Sequence, residues 1–239
     1  KKYSSIKTIC IGNISLGGTG KTSLCLKINE LLRSATIKSC FIKKYYKIAL
    51  FDDGLQDLSI NYDLEFVCFN NISWIGNGLT IPSGPLRENL QKLKKYNNVF
   101  LTGNGENTEN IKNYILNIDP NINIYEAKYI PLNINEFEKK EKYLAFSGIG
   151  NHKSFISMLK INGLDIVKDL EFPDHYDYSK NDIEKINNIS KKLNCNIITT
   201  EKDFIKLDTN QIHEIKYIKS ELKIINEEKF FKVISKLYE

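Results

Sequence analysis

A lysine and a threonine stand side by side directly after a run of glycines in the stretch SLGGTGKT, residues 15–22. Glycines let the backbone turn its N–H groups inward around phosphate oxygens, and the helix predicted to follow presents its positive end to the same anion. Lys21 would reach the β- and γ-phosphates and Thr22 would ligate Mg²⁺. A plain glycine turn would leave this Lys-Thr pair unexplained. We therefore predict a phosphate loop, although Ser15 stands where the usual motif has its first glycine.

Two adjacent carboxylates, Asp52 and Asp53, follow the apolar residues 48–51. A carboxylate at the carboxyl end of a buried strand holds Mg²⁺ or its water in nucleotide hydrolases and kinases. The Asp-Asp-Gly sequence would also suit an ordinary turn. Beside a phosphate loop, metal binding is the favoured interpretation.

Two loops carry further chemically versatile residues. The stretch FPDHYDY contains His175, either a proton acceptor or an ordinary surface histidine. The stretch IPSGPLRE contains Arg87 and Glu88, where a loop ion pair is the plain alternative. Arg33 and Arg87 are the only arginines among 34 basic residues. An arginine in so lysine-rich a chain indicates a task that lysine does not fill, such as bidentate contact with a phosphate.

The composition excludes several classes of protein. The 239 residues are 41% hydrophobic and 26% charged, which is typical of a globular protein. The net charge of +5 permits contact with an anionic membrane surface. The sequence has no basic block interleaved with aromatic residues, so we expect no nucleic-acid partner. Five isolated cysteines predict neither a zinc site nor a disulfide framework. The apolar runs are too short to span a bilayer and no signal peptide is evident, so we expect a cytosolic location.

Strands and helices alternate along the chain, which predicts an α/β fold with a parallel sheet. In the first half we predict a helix over Thr22–Arg33 and strands over residues 6–12, 39–44, 48–54, 64–69 and 98–103. A charged, proline-marked stretch predicts a linker at residues 129–142. It would separate a nucleotide-binding core, residues 1–128, from a smaller α/β domain, residues 143–239, in which the pattern restarts.

One predicted connection is too short. The strands SCFIKK and IALFDD are separated by only a few residues, whereas parallel neighbours need a crossover of about a dozen. Either the two strands pair antiparallel, or a crossover segment is absent from the chain. We favour the second alternative and expect the break between Tyr46 and Ile48.

The combination of motifs resembles the tetraacyldisaccharide 4'-kinases of lipid A synthesis. The matching stretches occur in the family's order and are GNISLGGTGKT, DDGLQ, GNGLTIPSGPLRE, AFSGIGN, FPDHYDYS and TTEKDFIKL. That family also lacks the first glycine of the phosphate loop. The resemblance implies a P-loop NTPase-type parallel sheet core with a second, smaller α/β domain and an active site between them.

The resemblance also implies an activity. It is the Mg²⁺-dependent transfer of the ATP γ-phosphate to the 4'-hydroxyl of a tetraacyldisaccharide 1-phosphate, by a monomer at the cytosolic face of the bacterial inner membrane. The residues implied to bind ATP are Ser15, Leu16, Gly17, Gly18, Thr19, Gly20, Lys21 and Thr22. Those implied to serve Mg²⁺ are Thr22, Asp52 and Asp53. Those implied near the substrate are Asn13, Gln56, Arg87 and Glu88, and the catalytic residues are Lys21, Asp53 and His175.

Two departures from the family keep alternatives open. The family carries a Gly-Asp-Glu-Pro segment before DDGLQ, whose Asp pairs with the loop His, and an apolar helix ahead of the phosphate loop; this sequence contains neither. One alternative is therefore a nucleotide-binding remnant that transfers nothing. The other is a P-loop ATPase of the partitioning or metal-centre assembly type, although those loops carry a Lys where this chain has Leu16.

Overall fold

The apolar runs of the first half of the chain form one parallel sheet. The computed structural model describes residues 6–16, 18–37, 39–40, 48–57, 59–105, 107–208 and 214–238. The strands of this larger sheet are β1 (Lys7–Gly12), β2 (Ser39–Cys40), β3 (Ile48–Asp52), β4 (Leu64–Asn70), β5 (Asn98–Thr102), β6 (Asn123–Pro131) and, much later in the chain, β11 (Ser220–Ile225). Their spatial order is β11-β6-β5-β4-β1-β3-β2. The predicted parallel α/β class is confirmed.

Strands β1 and β3 are direct neighbours, which brings the predicted phosphate loop and the two aspartates to one edge of the sheet. Ile11 pairs with Asp52 in the parallel register, and the backbone N–H of Asp53 donates to the carbonyl of Ile11 at 2.8 Å. Helix α1 (Lys21–Ser34) follows the loop at once. Carboxyl ends of adjacent parallel strands are the usual ligand position in such folds.

Strand β2 pairs parallel with β3, Ser39 opposite Ile48, so the antiparallel alternative is excluded. This is the arrangement for which a short connection is inadequate. The connecting residues 41–47, and with them the expected break before Ile48, lie outside the described residues. The absent crossover stays a prediction.

The second sheet restarts the βα pattern as expected. Its strands are β7 (Lys142–Ser147), β8 (Asp165–Glu171), β9 (Asn196–Thr200) and β10 (Ile215–Ile218), all parallel, in the order β10-β9-β7-β8. The remaining α-helices of the described chain are α2 (Thr108–Ile118), α3 (His152–Ile161), α4 (Lys180–Leu193), α5 (Glu201–Phe204) and α6 (Glu227–Ser235). The longest, α1 and α4, have 14 residues each, and among described helices none is long and apolar enough to cross a bilayer.

The chain divides into two units, and their membership differs from the predicted domains. The first unit is Lys1–Lys128 with Leu222–Glu239, and the second is Tyr129–Glu221. The main segment of the first unit ends at residue 128. The expected linker 129–142 instead belongs to the second unit, because it includes the end of β6 and a buried Phe137 that packs on Tyr143.

The C-terminal segment, expected in the second domain, returns to the first unit. Phe230 of α6 is fully buried, and its ring centroid lies 5.4, 5.4 and 5.3 Å from those of Phe66, Phe100 and Tyr125. Burying one such side chain stabilises a fold by about 1.5–3 kcal/mol. The aromatic contact therefore accounts for the return of the chain to the larger sheet.

Candidate active site

The predicted phosphate loop lies between β1 and α1 and ends at a left-handed glycine. Gly20 stands at the N-cap of α1 with φ 79°, a left-handed conformation that favours glycine. The amide of Asn13 donates to the hydroxyl of Thr19 at 3.1 Å, and the hydroxyl of Thr102 donates to the carbonyl of Thr19 at 2.7 Å. These bonds shape the loop from within and from β5. Thr102 was not predicted from sequence; its position at the end of a buried strand, before a glycine, is the signal that could have indicated it.

Lys21 begins helix α1 and points toward the carboxyl end of β3. Its ammonium lies 3.5 Å from Oδ1 of Asp53, and its side chain is 15% exposed. The backbone N–H groups of a first helical turn have no partner within the helix and carry a partial positive charge. Lys21 and the start of α1 thus create positive potential at the predicted loop.

Arg87 contacts the same carboxylate. Its NH1 and NH2 groups donate to Oδ1 and Oδ2 of Asp53 at 3.0 and 3.2 Å, and NH1 also donates to Oε1 of Gln56 at 3.2 Å. The Gln56 amide in turn donates to the carbonyl of Asn13 at 2.9 Å. Four predicted residues from three separate motifs are therefore joined in one hydrogen-bonded cluster.

Asp52, although adjacent to Asp53, has a different partner. The hydroxyl of Thr22 donates to its Oδ2 at 2.8 Å. A hydroxyl and carboxylates are hard oxygen donors that suit Mg²⁺, which binds through one or two carboxylates, water and substrate phosphates. Among the described residues there is no group of three or more His, Cys, Asp and Glu placed to hold a metal. The residues present thus fit a magnesium ion that shares its ligands with a nucleotide.

Backbone hydrogen bonds join the segment before Arg87 to the predicted phosphate loop. The N–H of Leu16 donates to the carbonyl of Pro85, and the N–H of Arg87 donates to the carbonyl of Ile14, both at 2.7 Å. Ser15 is buried and forms a bridge with Leu86. The stretch IPSGPLRE therefore braces the loop in addition to supplying Arg87.

The remaining predicted site residues differ in their exposure and in their partners. Gly18 is half-buried and Leu16 is 52% exposed, while Gly17 lies outside the described residues. Glu88 forms an ion pair with Lys92 at 3.1 Å. The structure thus does not bring Glu88 into the Asp53 cluster.

A buried thiol lies close to the site on β1. Burial raises the pKa of Cys10 to about 12. A thiol with so high a pKa is almost wholly protonated at neutral pH and is a poor nucleophile. Cys10 is therefore a core residue.

His175 belongs to the second unit. Its backbone is left-handed, φ 61°, and its N–H donates to Oδ1 of Asp174 at 3.0 Å and to the carbonyl of Gly148 at 3.1 Å. The imidazole Nε2 lies 3.9 Å from Oδ2 of Asp174, and the side chain is 72% exposed. The ring is accessible to a substrate and has one carboxylate beside it.

The comparisons with known proteins agree on one family. The family model "Tetraacyldisaccharide-1-P 4'-kinase" matches residues 33–239. The curated tetraacyldisaccharide 4'-kinase of Pelagibacter ubique is 53% identical over 270 residues, covering 99% of this chain and 86% of that protein. This chain belongs to the tetraacyldisaccharide 4'-kinase family. Its members are kinases that transfer phosphate to an alcohol, and the partitioning or metal-centre ATPase alternative finds no support.

Further members are more distant. The tetraacyldisaccharide 4'-kinase of Rickettsia bellii is 30% identical over 255 residues, covering 84% of this chain and 77% of that protein. The crystal structure of the "apo" form of LpxK from Aquifex aeolicus in complex with ATP has a TM-score of 0.62 at 21% identity, covering 100% of this chain and 90% of that one. That likeness shows the shared α/β kinase fold.

The lengths of these matches bear on the short connection between β2 and β3. The Pelagibacter match extends over 270 residues although this chain has 239, so that 4'-kinase has residues without a counterpart here. If this chain lacks a crossover segment, a relative that has the segment should be matched over more residues than this chain contains.

Proposed function

We propose that this chain transfers the γ-phosphate of ATP to the 4'-hydroxyl of a tetraacyldisaccharide 1-phosphate, with the phosphate loop and the Lys21–Asp53–Arg87 cluster as its nucleotide-facing site. The observation that supports this most directly is that cluster at the mouth of the loop, in a chain of the 4'-kinase family. Phosphoryl transfer asks a protein mainly to position reactants and neutralise charge. Two cations and a helix N-terminus meet that demand.

The phosphate end of the proposed reaction uses the loop and α1. Backbone N–H groups of the loop bind the β-phosphate, and Lys21, still beside Asp53, contacts the β- and γ-phosphates. The carboxylate of Asp53, 3.5 Å away, holds the Lys21 ammonium in place for this contact. Leu16, 52% exposed, is accessible to a nucleotide at the loop.

Magnesium would be held by Thr22, with Asp52 accepting from its hydroxyl or binding a metal water. When bound, the ion neutralises charge on the β- and γ-phosphates. Asp53 has a different part in this proposal. Placed between Lys21 and Arg87, it fixes both cations where negative charge develops.

Arg87 and Gln56 are assigned to the acceptor substrate, and His175 of the second unit is assigned as the proton acceptor. A guanidinium fork matches phosphate geometry, so Arg87 orients a phosphate. Gln56 accepts from Arg87 and donates to the carbonyl of Asn13, and these two hydrogen bonds hold the guanidinium in place. His175 accepts the proton of the attacking hydroxyl on a ring nitrogen. Asp174, 3.9 Å away, stabilises the imidazolium that results.

The place of action follows from the lipid substrate. A tetraacylated disaccharide stays in a membrane, so the enzyme must work at a membrane surface. The net charge of +5 favours contact with anionic headgroups. We place the chain peripherally at the cytosolic face of the inner membrane, where ATP is available.

One assay tests the proposal. Purified chain is incubated with γ-³²P-labelled ATP, Mg²⁺ and the disaccharide 1-phosphate lipid, and the lipid fraction is separated by chromatography. We expect label in the lipid, dependent on all three components and lost in Lys21→Ala. Release of labelled phosphate without labelled lipid would instead identify an ATPase. Neither product, with ATP still binding, would identify a nucleotide-binding remnant.

A further inference from the structure

Asp203 is a carboxylate of the second unit with no exposed surface. It lies in α5, within the stretch TTEKDFIKL, and none of the roles above uses it. Charged groups are rarely buried in full unless partners compensate them. Its Oδ2 accepts from the hydroxyl of Thr200 at 2.7 Å and from the backbone N–H of Gly148 at 3.1 Å. The Thr200 contact belongs to the cap of α5, but the Gly148 contact reaches a different segment.

Gly148 connects this carboxylate to His175. The carbonyl of Gly148 accepts from the N–H of His175 at 3.1 Å, so one residue separates Asp203 from the backbone of the proposed base. A Cβ at Gly148 would lie 3.0 Å both from Cβ of Tyr176 and from the hydroxyl of Tyr178. The loop that carries His175 therefore rests directly on the backbone at Gly148.

Tyr178 extends the same contact. Burial, and then the negative charge of Asp203, raise the pKa of the Tyr178 hydroxyl far above its usual range. This hydroxyl and Oδ1 of Asp203 are both buried, and neither has a hydrogen-bond partner among the described residues. The Tyr178 ring packs on Phe172 and Tyr176, with centroids 5.1 and 5.3 Å apart. The carboxylate thus lies beneath the aromatic residues that form the loop.

Lys206 holds the same loop at a second point. Its ammonium donates to the carbonyl of Tyr176 at 3.0 Å. Thr200, Asp203 and Lys206 are spaced three residues apart in TTEKDFIKL. Asp203 and Lys206 hold the backbone at Gly148 and Tyr176, and Thr200 caps α5.

His175 needs such support. A non-glycine residue at φ 61° carries a strain of about 1–2 kcal/mol, so the surrounding contacts must hold it. The imidazole is 72% exposed and has little packing of its own. The position of the His175 backbone is therefore held by its contacts with Asp174 and Gly148.

We propose that Asp203 is a positioning residue whose carboxylate holds Gly148, and through Gly148 the backbone of His175, in the arrangement that phosphoryl transfer requires. Lys206 supports the same loop from Tyr176. The inference rests on the proposed role of His175 as proton acceptor. It assigns to TTEKDFIKL a function in catalysis without contact with the substrate.

The first test compares Asp203→Asn with Glu201→Gln, an exposed carboxylate of the same short helix. Misplacement of a catalytic group by about 1 Å costs up to a hundredfold in rate. We expect kcat to fall by about tenfold to a hundredfold in Asp203→Asn, with KM for ATP unchanged, and no change in Glu201→Gln. Equal kinetics for the two variants would overturn the inference.

A double-mutant cycle separates this inference from the proposed function. If Asp203 acts through His175, adding Asp203→Asn to His175→Ala slows the enzyme no further. Losses that multiply would show that Asp203 acts elsewhere. A fully active His175→Ala would instead refute the proposed base.

Amide hydrogen exchange supplies a readout besides activity. Exchange at the His175 N–H should accelerate in Asp203→Asn and stay unchanged in Glu201→Gln; unchanged exchange in both contradicts the positioning role. If Asp203→Asn does not fold, Lys206→Met at a half-buried position serves instead. It should lower kcat and accelerate exchange in the same loop, and wild-type values would count against the inference.

Discussion

The guanidinium of Arg87 donates hydrogen bonds to both carboxylate oxygens of Asp53, at 3.0 and 3.2 Å, although the two residues are 34 positions apart in the sequence. A planar fork matches a carboxylate in a way that a lysine ammonium cannot. This geometry explains an arginine in a chain that otherwise uses lysine. It also ties the stretch that braces the phosphate loop to the strand that carries the aspartates.

Arg87→Lys should therefore impair catalysis although the charge is conserved. Loss of a charge-assisted hydrogen bond costs about 1.5–3 kcal/mol, which corresponds to roughly a 10- to 150-fold fall in kcat/KM. Steady-state kinetics with both substrates measure it. Arg33→Lys, an exposed change in the last turn of α1, is the matched control and should be neutral. Wild-type kinetics for Arg87→Lys would show that its fork is dispensable.

The two aspartates should separate in their effects. Asp52 accepts from Thr22, whereas Asp53 pairs with Lys21 and Arg87. We expect Asp52→Asn to raise the Mg²⁺ concentration needed for half-maximal activity. Asp53→Asn should lower kcat with a smaller change in that requirement. Titration of activity with Mg²⁺ distinguishes the two variants. Identical titration curves for wild type and both variants would show that the two aspartates serve only to form a turn.

Lys21→Ala should abolish phosphoryl transfer and leave the fold intact. Its ammonium is placed for the γ-phosphate, and removing one such electrostatic group costs about 10²–10³ in rate. The ion pair with Asp53 is partly exposed and contributes at most about 1 kcal/mol to stability. Transfer assays and thermal unfolding are measured on the same preparation. Near-normal turnover would contradict the phosphate-loop assignment.

Gly20→Ala should weaken ATP binding by deforming the loop. The residue has φ 79°, and a Cβ there would lie 2.9 Å from the Thr102 side chain, closer than packing allows. Gly78→Ala is the control, because Gly78 has φ 75° with its nearest neighbour, Ile75, at 3.7 Å. Both changes carry a backbone cost of about 1–2 kcal/mol in unfolding free energy. Only Gly20→Ala should lose nucleotide affinity, measured by calorimetry; equal affinities in the two variants would refute the steric argument.

The sequence by itself determined the local parts of this protein. The phosphate loop, the strands at Ile9 and Leu50 and the helix after Lys21 were predictable, because apolar periodicity and glycine spacing report on neighbouring residues. Strand β6 was harder to recognise, since its residues are only partly buried and alternate irregularly. Helix α6 was predicted as an element, but its amphipathic pattern does not say which sheet it covers.

Only the tertiary structure decided which side chains meet. Asp52 and Asp53 are equivalent in the sequence. Asp52 ends strand β3, whereas Asp53 is a turn residue with a left-handed φ of 62°, so one faces Thr22 and the other faces Lys21 and Arg87. The buried contact of Asp203 with Gly148 likewise depends on the packing of separate strands. Local pattern fixes what each element is. Which elements become neighbours depends on the burial of whole faces, and that is a property of the folded chain.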